Sequence, residues 1–280
     1  MDDLDRRRDL VDRRLAEVLD GVEPPILASR SSDVVLAGGK RVRPTLALLV
    51  CESLGGGVEE AVDYAAGVEL VHNASLVVDD IIDESRLRRG SPSAWAATGH
   101  GPAIVTSDGL LGEALALFAD SARAMETITE AVVDLGEGEA TELMDTPTNV
   151  EEYLELARRK TGALFRASAE LGAIAVDADP ETTDAVGTYA ERVGIAFQIR
   201  DDVLDATGER GLLGKPAGQD AALDRPSVLE VTDLSADEAT ERARAERDRA
   251  LAALDSIEAS DPDAVAYLED LASFAVERER

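Results

Sequence analysis

Two copies of Asp-Asp-x-x-Asp, Asp79-Asp80-Ile81-Ile82-Asp83 and Asp201-Asp202-Val203-Leu204-Asp205, each lie inside an apolar run with helical spacing. The first interrupts Leu76-Val77-Val78 and Ile81-Ile82, and the second sits between Phe197 and Val203-Leu204. With 30 Asp in 280 residues, chance would supply about a third of one such pattern, so the setting says more than the motif. Carboxylates taken out of water need cations. A fold built on this sequence must therefore bring positive charge to both runs. The obvious cation for several hard oxygens aimed into one cleft is magnesium, which keeps some water and is completed by phosphate oxygens.

Apolar residues recur at three- and four-residue spacing almost throughout, and alternating β-branched runs bounded by hairpin turns are scarce. The spacing predicts a nearly all-helical chain. Breaks are expected at 21–25, 55–57, 90–102, 145–149, 177–180, 208–226 and 260–263, where Gly, Pro and Asx residues gather. Thr148-Asn149 and Asp179-Pro180-Glu181 read as helix starts with acidic first turns. No linker or shift in composition divides the chain, so residues 1–280 are expected to form one domain. The long segment from Gly208 to Pro226 carries Lys215, and long loops in compact domains are more often functional than idle.

At about 100 degrees per residue, Asp79 and Asp83 share one helix face, and His72, seven residues earlier, falls on the same stripe. Gln198, Asp201 and Asp205 share a stripe on the second helix by the same count. The middle residues Asp80 and Asp202 point partly aside and could act through water or behind the ligands. If the two stripes face each other across a cavity, as sites in helical bundles do, magnesium between them can neutralise a diphosphate and stabilise its departure. All six aspartates are taken as candidate metal ligands.

The cations are unevenly distributed. Of 28 Lys and Arg only three are Lys: Lys40 in Gly38-Gly39-Lys40-Arg41-Val42-Arg43-Pro44, Lys160 before Thr161, and Lys215 after Gly214. A compact ammonium is not interchangeable with a planar guanidinium at a phosphate. Arg86, Arg88 and Arg89, just past the first acidic cluster, are placed to meet an anion drawn in by metal. Taken alone, His72 reads as a core histidine and Lys160-Thr161 as a helix-surface pair. The alignment of His72 with the aspartate stripe reverses the first of these readings.

A net charge of -30 opposes approach to nucleic acid or an anionic membrane. The excess of Asp and Glu, with Arg in place of Lys, resembles proteins of a high-salt cytoplasm, where screening shortens repulsion. One cysteine, Cys51, fits a reducing compartment. No signal segment stands out, and no uncharged apolar run reaches membrane-spanning length. A cytoplasmic protein without a stable membrane anchor is expected.

In order, the chain carries Gly38-Gly39-Lys40-Arg41-Val42-Arg43-Pro44, then His72-Asn73-Ala74-Ser75-Leu76 leading to the first acidic cluster, and Leu87-Arg88-Arg89-Gly90. Lys160-Thr161-Gly162, Phe197-Gln198 with the second cluster, and Gly214-Lys215-Pro216 follow. This order resembles the trans-isoprenyl diphosphate synthases, or polyprenyl synthetases, over nearly the whole chain. The resemblance implies an all-α, isoprenoid synthase-type helical bundle around a deep central cavity and a homodimer. It also implies a prenyltransferase that condenses isopentenyl diphosphate head-to-tail with an allylic diphosphate, using three magnesium ions per active site. Carried over by position, Lys40, Arg43, His72 and Arg89 would hold the diphosphate of isopentenyl diphosphate. Arg88, Lys160 and Lys215 would hold the allylic diphosphate with magnesium on Asp79, Asp83 and Asp201, and Thr161 and Gln198 would face the developing cation.

This sequence departs from the family pattern at Val78, commonly His, and at Ser91-Pro92-Ser93-Ala94-Trp95 and Ser107-Asp108. Asp224-Arg225-Pro226-Ser227 replaces a usual Gly-Lys-x-Thr and keeps a cation, Arg225, as a candidate substrate-binding residue. In this family a bulky side chain four or five residues before the first acidic cluster stops the growing chain early; here those positions are Ser75 and Ala74, both small. Geranylgeranyl diphosphate is the expected product and a longer polyprenyl diphosphate the alternative. A class I terpene cyclase would have no use for the Gly-Gly-Lys-Arg segment or the second acidic cluster. A non-catalytic partner subunit would typically have lost one cluster, and a purely structural acidic protein would bind no ligand through magnesium.

Overall fold

A computed structural model describes residues 3–207 and 226–277. Helices dominate. They are α1 (Asp3–Asp20), α2 (Pro25–Val35), α3 (Val42–Ser53), α4 (Val58–Ile82), α5 (Ala94–Thr98), α6 (His100–Phe118), α7 (Ala122–Met144), α8 (Val150–Ala157), α9 (Ala163–Ala175) and α10 (Pro180–Ala206). After the segment outside the described residues come α11 (Val228–Val231), α12 (Ala236–Leu254) and α13 (Pro262–Glu277). The single departure from helix among the described residues is a two-residue antiparallel hairpin, β1 (Leu87–Arg88) with β2 (Ser91–Pro92), where Leu87 pairs with Pro92. No helix among them is long and apolar enough to cross a membrane.

Local chemistry explains the boundaries. Asn149 caps α8 by accepting from the Glu152 N–H at 3.0 Å. Asp179 caps α10 by accepting from Glu181 and Thr182, with Pro180 in the first turn. Both starts are those read from the sequence. The expected break at 90–102 is narrower, because α6 begins at His100, and an unpredicted one runs from Leu36 to Arg41. Arg41 ends that break in a left-handed conformation.

α4 is buried on nearly all sides and is the axis of the bundle. α3, α6 and α9 pack along it, and α10 packs on α9 and α12. One core joins α1, α4, α6, α7 and α9. A second fills the space between α3, α9, α10, α12 and α13, and a third lies under α8 and α11. α8 and α9 form one rod interrupted by a π-helical turn, Arg158–Gly162. Such turns are frequent at functional sites, and this one carries Lys160 and Thr161. Close backbone approach seats the turn: a Cβ on Gly194 of α10 would lie 3.0 Å from the Gly162 Cα, and one on Gly138 of α7 would lie 2.9 Å from the Lys160 Cγ.

The tightest helix crossing yields a stability prediction. A Cβ at Gly172 on α9 would meet the Ala47 carbonyl oxygen of α3 at 2.3 Å, whereas one at Gly136 on α7 meets nothing within 4 Å. Gly172→Ala is expected to destabilise the fold by about 1–3 kcal/mol, read as a lower denaturation midpoint. Gly136→Ala should leave the midpoint unchanged or raise it, since Ala is the better helix former.

Candidate active site

The site begins with one buried ion pair. Arg41 and Glu69 are only 3% and 2% exposed. The Arg41 guanidinium donates to Glu69 Oε1 at 2.6 Å, to Asp12 Oδ1 at 2.8 Å and to the Val35 carbonyl at 2.7 Å. These bonds fix the start of α3 against α4, so that Arg43 meets His72, one turn beyond Glu69, while Lys40 lines the same cavity as both, with its ammonium 5.5 Å from the centre of the Phe274 ring. Asn73 joins by donating to Glu69 Oε1 at 3.0 Å.

Arg43 donates to His72 Nε2 at 3.2 Å and lies 4.7 Å above the Phe165 ring. A guanidinium only donates, so Nε2 must accept and the imidazole is neutral. Burial pulls the His72 pKa well below its ordinary value, and the charges of Arg43, Arg89, Arg88 and Arg41 pull the same way. Burial also lowers Arg43, to about 10, against the opposing charge of Glu69. The Nε of Arg43 is buried without a hydrogen-bond partner. Arg89 donates to the Gly38 carbonyl, and its guanidinium packs against Gly39.

Two cavities meet at this point. The first, about 590 Å³, is lined by Asp79, Ser75 and His72 of α4, by Lys160 and Thr161 of the π turn, by Gln198 of α10, and by Leu135, Ala140 and Leu143 of α7. The second, about 480 Å³, gathers Lys40, Arg43, His72, Arg88, Arg89 and Asp201. Arg43, His72, Leu76, Thr161 and Gln198 belong to both linings. The two acidic clusters therefore reach adjoining chambers through Asp79 and Asp201, with Thr161 and Gln198 on the common wall.

The remaining aspartates divide by environment. Asp80 is buried and held in a fork by Arg88, with Nη2 to Oδ1 at 2.6 Å and Nε to Oδ2 at 3.2 Å. Asp202 is buried and accepts from Tyr153 Oη at 2.7 Å, the Val228 N–H at 2.8 Å and Gln198 Nε2 at 2.8 Å. Both middle residues thus point away from the chambers, toward protein donors. Asp83 ends α4, and Asp205 is buried near the end of α10; neither lines the two cavities. Ser75 lines the first cavity, but Ala74 is turned from it, buried with its carbonyl accepting from Ser107 Oγ at 2.9 Å. Lys215 and Arg225 lie outside the described residues.

Several participants were not legible in the sequence. Lys160 is gripped by Glu139 at 2.8 Å and by Glu142 of α7. Burial pulls its pKa down, and the two carboxylates more than offset this, so that the net shift is upward. The spacing of Glu139 and Glu142 places them on one helix face, yet nothing local says which cation they meet. Tyr153, Glu69 and Arg41 were likewise invisible without their partners from distant helices.

The donor set suits magnesium. Among the described residues no three His, Cys, Asp or Glu side chains stand close enough to form a ready-made metal site. Carboxylates lining two adjoining cavities, one of them rich in cations, fit an ion that keeps water and is completed by phosphate oxygens.

The family model of polyprenyl synthetases matches residues 24–261. The chain belongs to the polyprenyl synthetase family. It is 36% identical over 258 residues to a short chain isoprenyl diphosphate synthase of Methanothermobacter thermautotrophicus, covering 89% of this chain and 77% of that protein. To a geranylfarnesyl diphosphate synthase of Aeropyrum pernix it is 33% identical, covering 97% and 91%. The solved geranylgeranyl pyrophosphate synthetase of Pyrococcus horikoshii superposes with a TM-score of 0.89 at 33% identity, over 98% of this chain and 97% of that one. This polyprenyl synthetase is thus a prenyltransferase enzyme of the isoprenyl diphosphate synthase type, with the all-helical fold of its relatives.

The neutral state of His72 has a thermodynamic signature. A histidine whose pKa is lowered by folding binds its proton more readily in the unfolded chain, so its contribution to stability is lost as pH falls below the ordinary value of 6.5. Denaturation midpoints measured from pH 8 to 5 at fixed high salt should fall more steeply for the native protein than for His72→Gln.

Proposed function

We propose that this prenyltransferase joins isopentenyl diphosphate head-to-tail to an allylic diphosphate and releases geranylgeranyl diphosphate, working as a homodimer with three magnesium ions per active site. The observation that carries this reading is the pair of adjoining chambers. Lys40, Arg88 and Arg89 line one, Asp79 and Lys160 line the other, and Arg43 with the neutral His72 lines both. Two anionic substrates can be held on either side of Thr161 and Gln198. The exposed Ile104 and Val105 on α6 offer an apolar face for the second subunit.

The basic chamber takes the diphosphate of isopentenyl diphosphate, with the buried Nε of Arg43 as a donor in waiting. Magnesium, held by Asp79 and Asp201, the two aspartates that line the chambers, would neutralise the allylic diphosphate as a leaving group. Lys160 supplies a point charge to the same group, and Arg88, braced by Asp80, adds another from the second chamber, which it lines; Lys215 and Arg225, which lie outside the described residues, are assigned to substrate by their positions in the sequence alone. Thr161 and Gln198 face the allylic carbon as positive charge develops there. The double bond of isopentenyl diphosphate, fixed by its own diphosphate, attacks that carbon. A proton then leaves the adduct for the diphosphate just released. Charge stabilisation and positioning supply most of the rate.

Relatives of comparable similarity carry names from geranylgeranyl to geranylfarnesyl and octaprenyl diphosphate synthase, so product length is argued from the cavity. Below Asp79 the wall is Ser75, too small to stop a chain at fifteen carbons. Leu135 and Leu164 line the same cavity and also pack in the main core. They are the candidates for a stop further along.

Purified protein in high salt with magnesium, isopentenyl diphosphate and a labelled allylic primer should yield mainly a twenty-carbon alcohol after dephosphorylation, and chelation of the metal should abolish it. Ser75→Phe should shorten the product and Leu164→Ala lengthen it. Products from allylic diphosphate alone would mark a cyclase, and activity only on adding a second protein would mark a partner subunit. A native product well beyond twenty carbons would replace the geranylgeranyl assignment with a longer-chain one.

A further inference from the structure

We propose that Asp202 is a positioning residue that sets the direction of the hydrogen bond between Thr161 and Gln198, and that it is not a metal ligand. The inference rests on the reading above, in which Thr161 and Gln198 face the allylic carbon. Three donors converge on the Asp202 carboxylate: Tyr153 Oη and the Val228 N–H on Oδ2, and Gln198 Nε2 on Oδ1. A carboxylate only accepts, and it has about four lone-pair sites. Three are spent on protein, and the side chain is buried, which leaves little with which to hold an ion.

The consequence runs outward along the chain of bonds. In its ionised form Asp202 can only accept, so Gln198 presents its NH2 inward and its Oε1 outward. That oxygen lies 2.8 Å from Thr161 Oγ1. An amide oxygen only accepts, so the Thr161 hydroxyl must donate. Thr161 has a single hydroxyl hydrogen, and it is committed to Gln198. The oxygen lone pairs of Thr161 are then left for the chambers that it lines on both sides. Lone pairs stabilise positive charge developing nearby; a hydroxyl hydrogen aimed the same way would oppose it. Buried networks of this kind hold one orientation because the reverse leaves a buried group unsatisfied.

Asp202→Asn reverses the logic, since its NH2 can face Gln198, flip that amide and turn the Thr161 hydrogen toward the cavity. The expected result is a kcat lowered about 10- to 100-fold, with KM for both diphosphates and half-saturating magnesium unchanged. Tyr153→Phe, which removes one donor from Asp202 and keeps the ring that lines the first cavity, should lower kcat in the same direction by less. Asp201→Asn serves as the metal-ligand comparison and should weaken magnesium-dependent binding of inorganic diphosphate, measured by calorimetry, where Asp202→Asn does not. Asp202→Asn weakening that binding as much as Asp201→Asn would overturn the proposal. So would a native kcat in Tyr153→Phe, which decides the matter if Asp202→Asn fails to fold. Failure of the native protein to turn over isoprenyl substrates would instead sink the functional reading, and the calorimetric comparison would still judge Asp202.

Discussion

A carboxylate buried in a helical bundle costs several kcal/mol unless it meets a cation or a set of donors, and this requirement organises the structure. Glu69 takes Arg41, Asp80 takes Arg88, Asp202 takes three neutral donors, and Glu246 takes Arg192 and Arg249. Each pairing ties two segments together. Asp79 and Asp201 differ in that they line the cavities, beside the basic residues at the start of α3 and in the hairpin. The partner assigned to each carboxylate separates those that brace the bundle from those that face the chambers.

The same requirement shapes the cations that line the chambers. Lys160 reaches its cavity from a π turn seated between α7 and α10 by Gly138, Gly162 and Gly194, and two glutamates hold its charge in place. Arg43 is stretched between an aromatic face and a neutral imidazole. Arg43 keeps an unpartnered Nε for an incoming phosphate, whereas Lys160 is held by two carboxylates that an incoming phosphate or a metal would have to displace or share.

Much of this was legible in the residues. The three- and four-residue apolar spacing announced helices, and the caps at Asn149 and Asp179 announced two of their starts. His72 and Asp79 could be placed on one stripe by counting degrees around a helix, and both do line one cavity. The separation of Asp79 from Asp80 was visible in the same count. The hairpin at Leu87–Pro92 was not, although its turn at Arg89-Gly90 is local; nor were the π turn and the break before Arg41, because both depend on contacts with segments far away in the chain. Arg41 looked like one more cation in a basic segment, and only the buried Glu69 reveals it as a brace.

By itself, the sequence determined the helical class, the acidic stripes and the rare lysines, since these follow from periodicity and from the cost of burying charge, both local properties. Tertiary structure alone decided which aspartates face the chambers and which are consumed by Arg88, Tyr153 and Val228, and that Ser75 rather than Ala74 lines the cavity wall. Those outcomes depend on how helices distant in the chain are rotated against one another. A rotation is fixed by packing and partner choice over the whole bundle, and no single helix carries that information.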